Sequence, residues 1–166
     1  MNRDELRAIQ APIKQRYRDD PGSAVVILKA EGKLGDGVSC NIDTGRALVE
    51  AGLHPSGGGT GMQACSGDML LQALVACAGV TLSAVAMSLG IPIRDGRLFA
   101  EGELDARGTL GVAKDAPVGL RNIRLKISLD TDAAPEQKQK LLELTERYCV
   151  VYQTLRNSPE VSVSLS

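Results

Sequence analysis

The 166-residue chain has no tryptophan, one phenylalanine, three tyrosines and a single histidine. So few rings leave little on which to stack bases, and a formal net charge of -1 supplies no field for nucleic acid or an anionic membrane. With only His54 and no C-x-x-C spacing, the material for a metal centre is missing. A Ser-His-Asp or Cys-His pair is disfavoured for the same reason, since each would need this one loop histidine as its base. No basic-then-apolar stretch of the signal-peptide kind opens the chain, so the cytoplasm is the expected compartment. There, the four cysteines at 40, 65, 77 and 149 are expected to be free or redox-active thiols rather than structural bridges.

Charge is also absent from one long internal run. Between Met69 and Leu89 there is no ionisable side chain except Cys77, and apolar residues fall on every face. Ser66 is a good N-cap, Asp68 sits where the helix dipole favours a carboxylate, and Gly90 with Pro92 ends the pattern. A helix of about 24 residues, roughly 36 Å long, is therefore predicted over 66–90. It is long enough to span a bilayer, but it is thick with Ala, Ser, Thr and Gly and has no basic cluster or aromatic belt beside it. The favoured environment is the centre of a domain or dimer, because a helix apolar all round must be surrounded.

The remaining elements are read around that helix. Residues 1–22 form a charged N-terminal helical arm, with Leu6, Ile9, Ile13 and Tyr17 at helical spacing and Pro12 dividing it; residues 23–166 form the domain. Ser23–Glu31 and Val38–Ile42 are expected to be strands of a hairpin turned by Gly35-Asp36-Gly37. The stretch 44–55 has room for a helical turn, and Ser56–Gly61 is too rich in glycine to be regular. Gly59-x-Gly61-x-x-Ala64 superficially matches a dinucleotide fingerprint, but no βαβ unit follows and no phosphate-loop Lys-Ser/Thr is present, so no cofactor is expected. Strands are expected within Arg94–Gly108 and over Leu120–Leu129, then a helix from Pro135 to about Asn157, then a strand over Val161–Leu165. This order, without βαβ crossovers, is α+β.

Cys77 and Cys149 both fall inside predicted helices with apolar surroundings. Each alone reads as a small buried hydrophobe or as a reactive thiol. Cys65 precedes the long helix by too great an axial distance from Cys77, about 18 Å if both were helical, for a bridge along it. Cys40 and Cys65 are expected to be packed thiols.

Two local sequences resemble a known family. MLLQALVACAGVTLSAVA is similar to the helix of the OsmC/Ohr thiol-dependent peroxidases, which carry LLxAAxxxC, and ERYCVVYQTLRNSPEVSVSL is similar to their second motif, EKYCPVSKTL. The two cysteines are 72 residues apart with strands between, in the family's order, and the likeness covers roughly 23–166. The resemblance implies antiparallel sheets packed on a long buried central helix, in an intertwined homodimer. It further implies that Cys77 attacks an organic or inorganic hydroperoxide, that Cys149 resolves the sulfenic acid, and that a dithiol or lipoylated protein reduces the bridge.

Some positions depart from the pattern. The family's glutamate ten residues before the first cysteine is Gly67 here, leaving Asp68 as the orienting carboxylate; the arginine has only Arg16, Arg18, Arg46 or Lys33 to answer for it. Val150 follows Cys149 where proline is usual. The expected activity is thus two-cysteine hydroperoxide reduction, a stress-defence function. The other reading is a non-catalytic binding or stress-associated protein that uses an apolar cleft at the dimer interface. A cation held against Cys77 would favour the enzyme.

Overall fold

The computed structural model describes residues 2–19, 31–34, 39–43, 48–111 and 113–165. They fall into two compact units, Met1–Ser66 and Gly67–Ser166.

The first unit opens with helix α1, Arg3–Asp19. Its start is fixed by a reciprocal cap: the Glu5 N–H donates to Asn2 Oδ1 and the Asn2 N–H donates to Glu5 Oε2, both at 2.9 Å. Pro12 lies inside α1 without dividing it, contrary to the sequence reading. One missing N–H does not end a helix whose neighbours on both sides are good helix formers. A four-stranded sheet follows in the order β1 (Glu31–Leu34), β2 (Ser39–Asp43), β3 (Leu48–Gly52) and β4 (Ala64–Cys65). β1 and β2 pair antiparallel, with Leu34 opposite Cys40; β2 overlaps the predicted 38–42 strand, but β1 runs through 32–34, which the sequence reading gave to the turn, and most of the predicted 23–31 strand lies outside the described residues.

β3 stands where a helical turn was expected. Ala, Leu and Glu favour helix, but five residues cannot nucleate one. In extended form this segment finds partners on both sides, β2 antiparallel and β4 parallel. The glycine run folds as a turn: a 3-10 turn over Pro55–Gly57 is capped by His54, whose Nδ1 accepts from the Ser56 N–H at 3.1 Å. A Cβ on Gly59 would overlap the Leu53 carbonyl, so backbone crowding accounts for that glycine without any phosphate.

The second unit is built on α2, Ser66–Leu89. It ends where predicted, at Gly90 with φ 69°, and the Ile91 N–H reaches back to the Ala86 carbonyl at 2.9 Å. A two-stranded antiparallel sheet, β5 (Asp95–Glu103) and β6 (Arg121–Asp130), follows, with the short helix α3 (Ala106–Thr109) in the connection. Leu82, Val85, Ala86 and Ile91 form the core with Leu141, and Ile93, Ile127, Leu129, Ala133 and Leu144 pack around them. Each fully buried Leu or Val in this cluster stabilises the fold by about 1.5–3 kcal/mol. The end of β6 is tied to the α2–β5 connection twice. Thr131 Oγ1 donates to the Pro92 carbonyl at 2.6 Å, and Arg94 holds both Asp130 and Asp132.

α2 buries only one stripe, Leu74, Ala78, Leu82, Val85 and Ala86. Val80 is 73% exposed, and Leu70 and Leu89 are each 39% exposed. The helix is long and apolar enough to cross a membrane by length and composition alone.

Two expectations about the C-terminal part need correction. The helix from Pro135 is broken into α4 (Pro135–Tyr148) and α5 (Val150–Arg156), with Cys149 between them in an extended conformation, φ -74° and ψ 108°. Residues 158–165 contain no strand; Val161, Val163 and Leu165 stand 82%, 94% and 103% exposed. Their alternation suits a strand, yet no described segment pairs with them, and an unpaired extended segment has no ladder to hold it.

Candidate active site

α2 and the α4–α5 break bring Cys77 and Cys149 together. Cys77 is half-buried and sits one residue before Ala78 on the buried stripe; Thr81 follows one turn later on the same face. Cys149 is 1% exposed, and both thiols are unbridged. The break follows from backbone conformation. Cys149 leaves the helical region for a single residue, its N–H still donates to the Thr145 carbonyl at 2.9 Å, and its carbonyl accepts from the Gln153 N–H at 3.0 Å. The first N–H groups of a new helix have no carbonyl partners of their own. Here they are turned on sulfur.

Burial pushes the Cys77 thiol up, but the N–H of Val151, the Cys149 thiol, the N–H of Val150 and the Thr81 hydroxyl act on its sulfur as hydrogen-bond donors. The donors prevail, and Cys77 is more acidic than an ordinary thiol. Cys149 moves the other way. Burial pushes it up; the Tyr152 N–H opposes this, while the adjacent Cys77, as hydrogen-bond partner and as charge, drives it further up. One thiol is thus prepared to be an anion and the other to remain protonated and donate to it.

The other predicted site residues are placed differently. Asp68 is exposed in the first turn of α2, nine residues before Cys77, which is about 14 Å along the axis and half a turn around it. Gly67 beside it belongs to the same first turn. Arg46 lies outside the described residues, as do the side chains of Arg16, Arg18, Lys33 and Cys40. Cys65 is on β4, opposite Gly52, as a free, half-buried thiol. The groups that chiefly set the acidity of Cys77 are amides, a hydroxyl and a thiol. Val150, Val151 and Thr81 were missed as site residues. Two of them act through backbone, which no side-chain motif displays; Thr81, one helical turn after Cys77, had a readable signal in that spacing.

A long apolar helix carrying Cys77, with Cys149 brought against it from a later helix break on an α+β frame, is an arrangement of the OsmC-like kind. The family model described as OsmC-like protein matches residues 58–164, and the chain belongs to that family. Among solved structures it is similar to an OsmC-like protein from Mycoplasma pneumoniae (TM-score 0.67, 16% identity, covering 80% of this chain and 89% of that one). It is also similar to an organic hydroperoxide resistance protein OsmC from Legionella pneumophila (0.57, 16%, 81% and 92%). A third is the organic hydroperoxide resistance protein OhrB of Bacillus subtilis (0.54, 20%, 81% and 94%). At these identities the likeness is one of fold. No curated protein matches the sequence.

Proposed function

We propose that the chain reduces organic or inorganic hydroperoxides with two cysteines. The observation that carries this reading is the opposed acidity of two adjoining thiols drawn from positions 72 residues apart. An unperturbed thiol is only a few per cent ionised at pH 7, so lowering the Cys77 pKa enlarges the nucleophilic fraction. The Cys77 thiolate attacks one oxygen of the peroxide, the O–O bond breaks, and the departing alkoxide takes up a proton as alcohol, or as water from hydrogen peroxide. The sulfur is left as a sulfenic acid. Cys149 then attacks that sulfur, the S–O bond breaks, water leaves and a disulfide forms. An external dithiol, such as a lipoylated protein, returns both thiols by exchange.

The working form in this reading is a cytoplasmic, intertwined homodimer. Its support is the exposed apolar side of α2 around Val80 and the extended, alternating 161–165 segment, both without a covering partner among the described residues. Asp68 has the part of a charge at the start of the helix. Two of the similar solved structures are named organic hydroperoxide resistance proteins, which agrees with this chemistry.

A second reading has one observation in its favour. A groove of about 630 Å³ beside α2, lined in part by Leu82, Ala86, Met87, Ile93, Leu98 and Leu129, is large enough for a small apolar ligand. A binding or stress-associated protein would use it without turnover. Mixing reduced protein with cumene hydroperoxide and, separately, with hydrogen peroxide, followed by mass spectrometry, decides between the two. Fast stoichiometric formation of the Cys77–Cys149 disulfide, abolished in Cys77→Ser, is expected. Thiols that survive prolonged exposure would retire the enzyme and leave the binder.

A further inference from the structure

Closing the disulfide requires the Cys149 proton to leave, and two hollows meet at this residue: an open one of about 480 Å³ shared with Arg147, Tyr148, Gln153 and Asn157, and a smaller, more enclosed one. Cys149 is 1% exposed. The smaller hollow, of about 240 Å³, is lined by Cys149 itself, and its polar members are Thr145, Glu146 and Tyr152. Thr145 is 2% exposed and its hydroxyl already donates to the Leu141 carbonyl at 2.7 Å, so its proton is committed. The β6 members of the lining, Leu125 and Ile127, are apolar, and α2 contributes Ala78. On the far side of β6, Arg124 and Lys126 are paired with Glu101. The ionisable residues around Cys149 are Glu146 and Tyr152 in the smaller hollow and Arg147 and Tyr148 in the larger, with Cys77 adjoining from α2.

Of these, Glu146 is the carboxylate. It is half-buried, and its Oε2 accepts from the Tyr152 hydroxyl at 3.3 Å; that hydroxyl in turn accepts from Arg156 at 2.9 Å. The Gln153 amide donates to the Glu146 carbonyl at 2.8 Å, which fixes the backbone of this turn. A water occupies about 30 Å³, so the cavity has room for one to carry a proton from sulfur to carboxylate.

We propose that Glu146 is the proton acceptor for the resolving thiol, a reading that rests on the two-cysteine chemistry above. As the Cys149 sulfur bonds to the Cys77 sulfur, its proton passes through the cavity to the Glu146 carboxylate. The S–O bond of the sulfenic acid breaks, and the departing hydroxide becomes water by taking a proton from Glu146 or from solvent.

The test is single-turnover oxidation of the full chain by one equivalent of cumene hydroperoxide from pH 5 to pH 9, reading sulfenic acid by dimedone capture and disulfide by mass spectrometry. Glu146→Gln keeps the oxygen that accepts from Tyr152 and removes the base. It is expected to form sulfenic acid at the wild-type rate but to close the disulfide about a hundredfold more slowly at pH 7. Its closure rate should climb with hydroxide up to pH 9, where the wild-type rate is level. Tyr152→Phe breaks the same hydrogen bond and keeps the carboxylate, so it should close within about threefold of wild type. Equal closure rates and pH profiles in Glu146→Gln and wild type would overturn the proposal, as would Tyr152→Phe slowing closure as much as Glu146→Gln, which marks an anchoring role. Failure of the wild type to form any sulfenic acid is a separate outcome, and it would remove the underlying reading instead.

Discussion

The Cys149 thiol donates to the Cys77 sulfur, from a single extended residue between two helices to the middle of a third. The contact joins the Val151 N–H in lowering the first thiol against its burial, and it adds to the burial that raises the second.

The pH dependence of Cys77 follows from those directions. A thiol with a lowered pKa is ionised, and therefore reactive, at a pH where an ordinary thiol is still protonated; reactivity is lost only as the pH falls through the lowered value. Alkylation of Cys77 by iodoacetamide, followed peptide by peptide, should show its midpoint below that of the same peptide in urea. Cys149→Ala removes one donor and should move the midpoint upward.

Val150→Pro separates the fold of the break from its electrostatics. Position 150 opens α5, where proline is well accommodated, and the φ of -74° and ψ of 108° at Cys149 are close to what a residue before proline adopts. The variant should keep its thermal stability or gain about 0.4–1 kcal/mol through the unfolded state. It loses the Val150 N–H, so the Cys77 alkylation midpoint should rise while circular dichroism stays unchanged.

Gly108→Ala should be costly although it is far in sequence from both thiols. A Cβ there would stand 2.7 Å from both the Ala116 and Pro117 carbonyl oxygens, and backbone cannot yield as a side-chain tip does. A loss of about 1–3 kcal/mol in urea unfolding is expected, with the alkylation midpoint of Cys77 retained.

The uncovered side of α2 supplies a test of assembly. Val80→Glu places a charge where Val80 is 73% exposed, so a lone chain should tolerate it. In sedimentation the wild type is expected to run as a dimer and the variant as a monomer. A wild type that sediments with lipid vesicles would point to the bilayer instead.

How far the sequence disclosed this arrangement depended on where the information was held. α2 was legible end to end because Ser66, Gly90 and the uncharged interval between Met69 and Leu89 are side-chain signals. β2 was legible from its alternation while β1 was given to the turn on account of Gly32, and the nearness of Cys77 to Cys149 was legible from two motifs. The break at Cys149 was not, since Val150 gives no helix-stop signal where proline would have given one. β3 was misread because Leu48, Glu50 and Ala51 favour helix yet are extended by their neighbours, a tertiary influence absent from the segment itself. Val161–Leu165 alternates as a strand should, but a strand is a relation between two segments, and alternation specifies only one of them.

A helix end is ordinarily a weakness, a place where amides face outward without acceptors. Interrupting a helix for one residue beside Cys77 turns such an end on a sulfur. The amides of Val150 and Val151 then do for a half-buried anion what a hydration shell does at the surface, and they are already oriented before the charge appears. The Cys77 sulfur brings its solvent with it in the main chain, and of substitutions at positions 150 and 151 only proline strips it away.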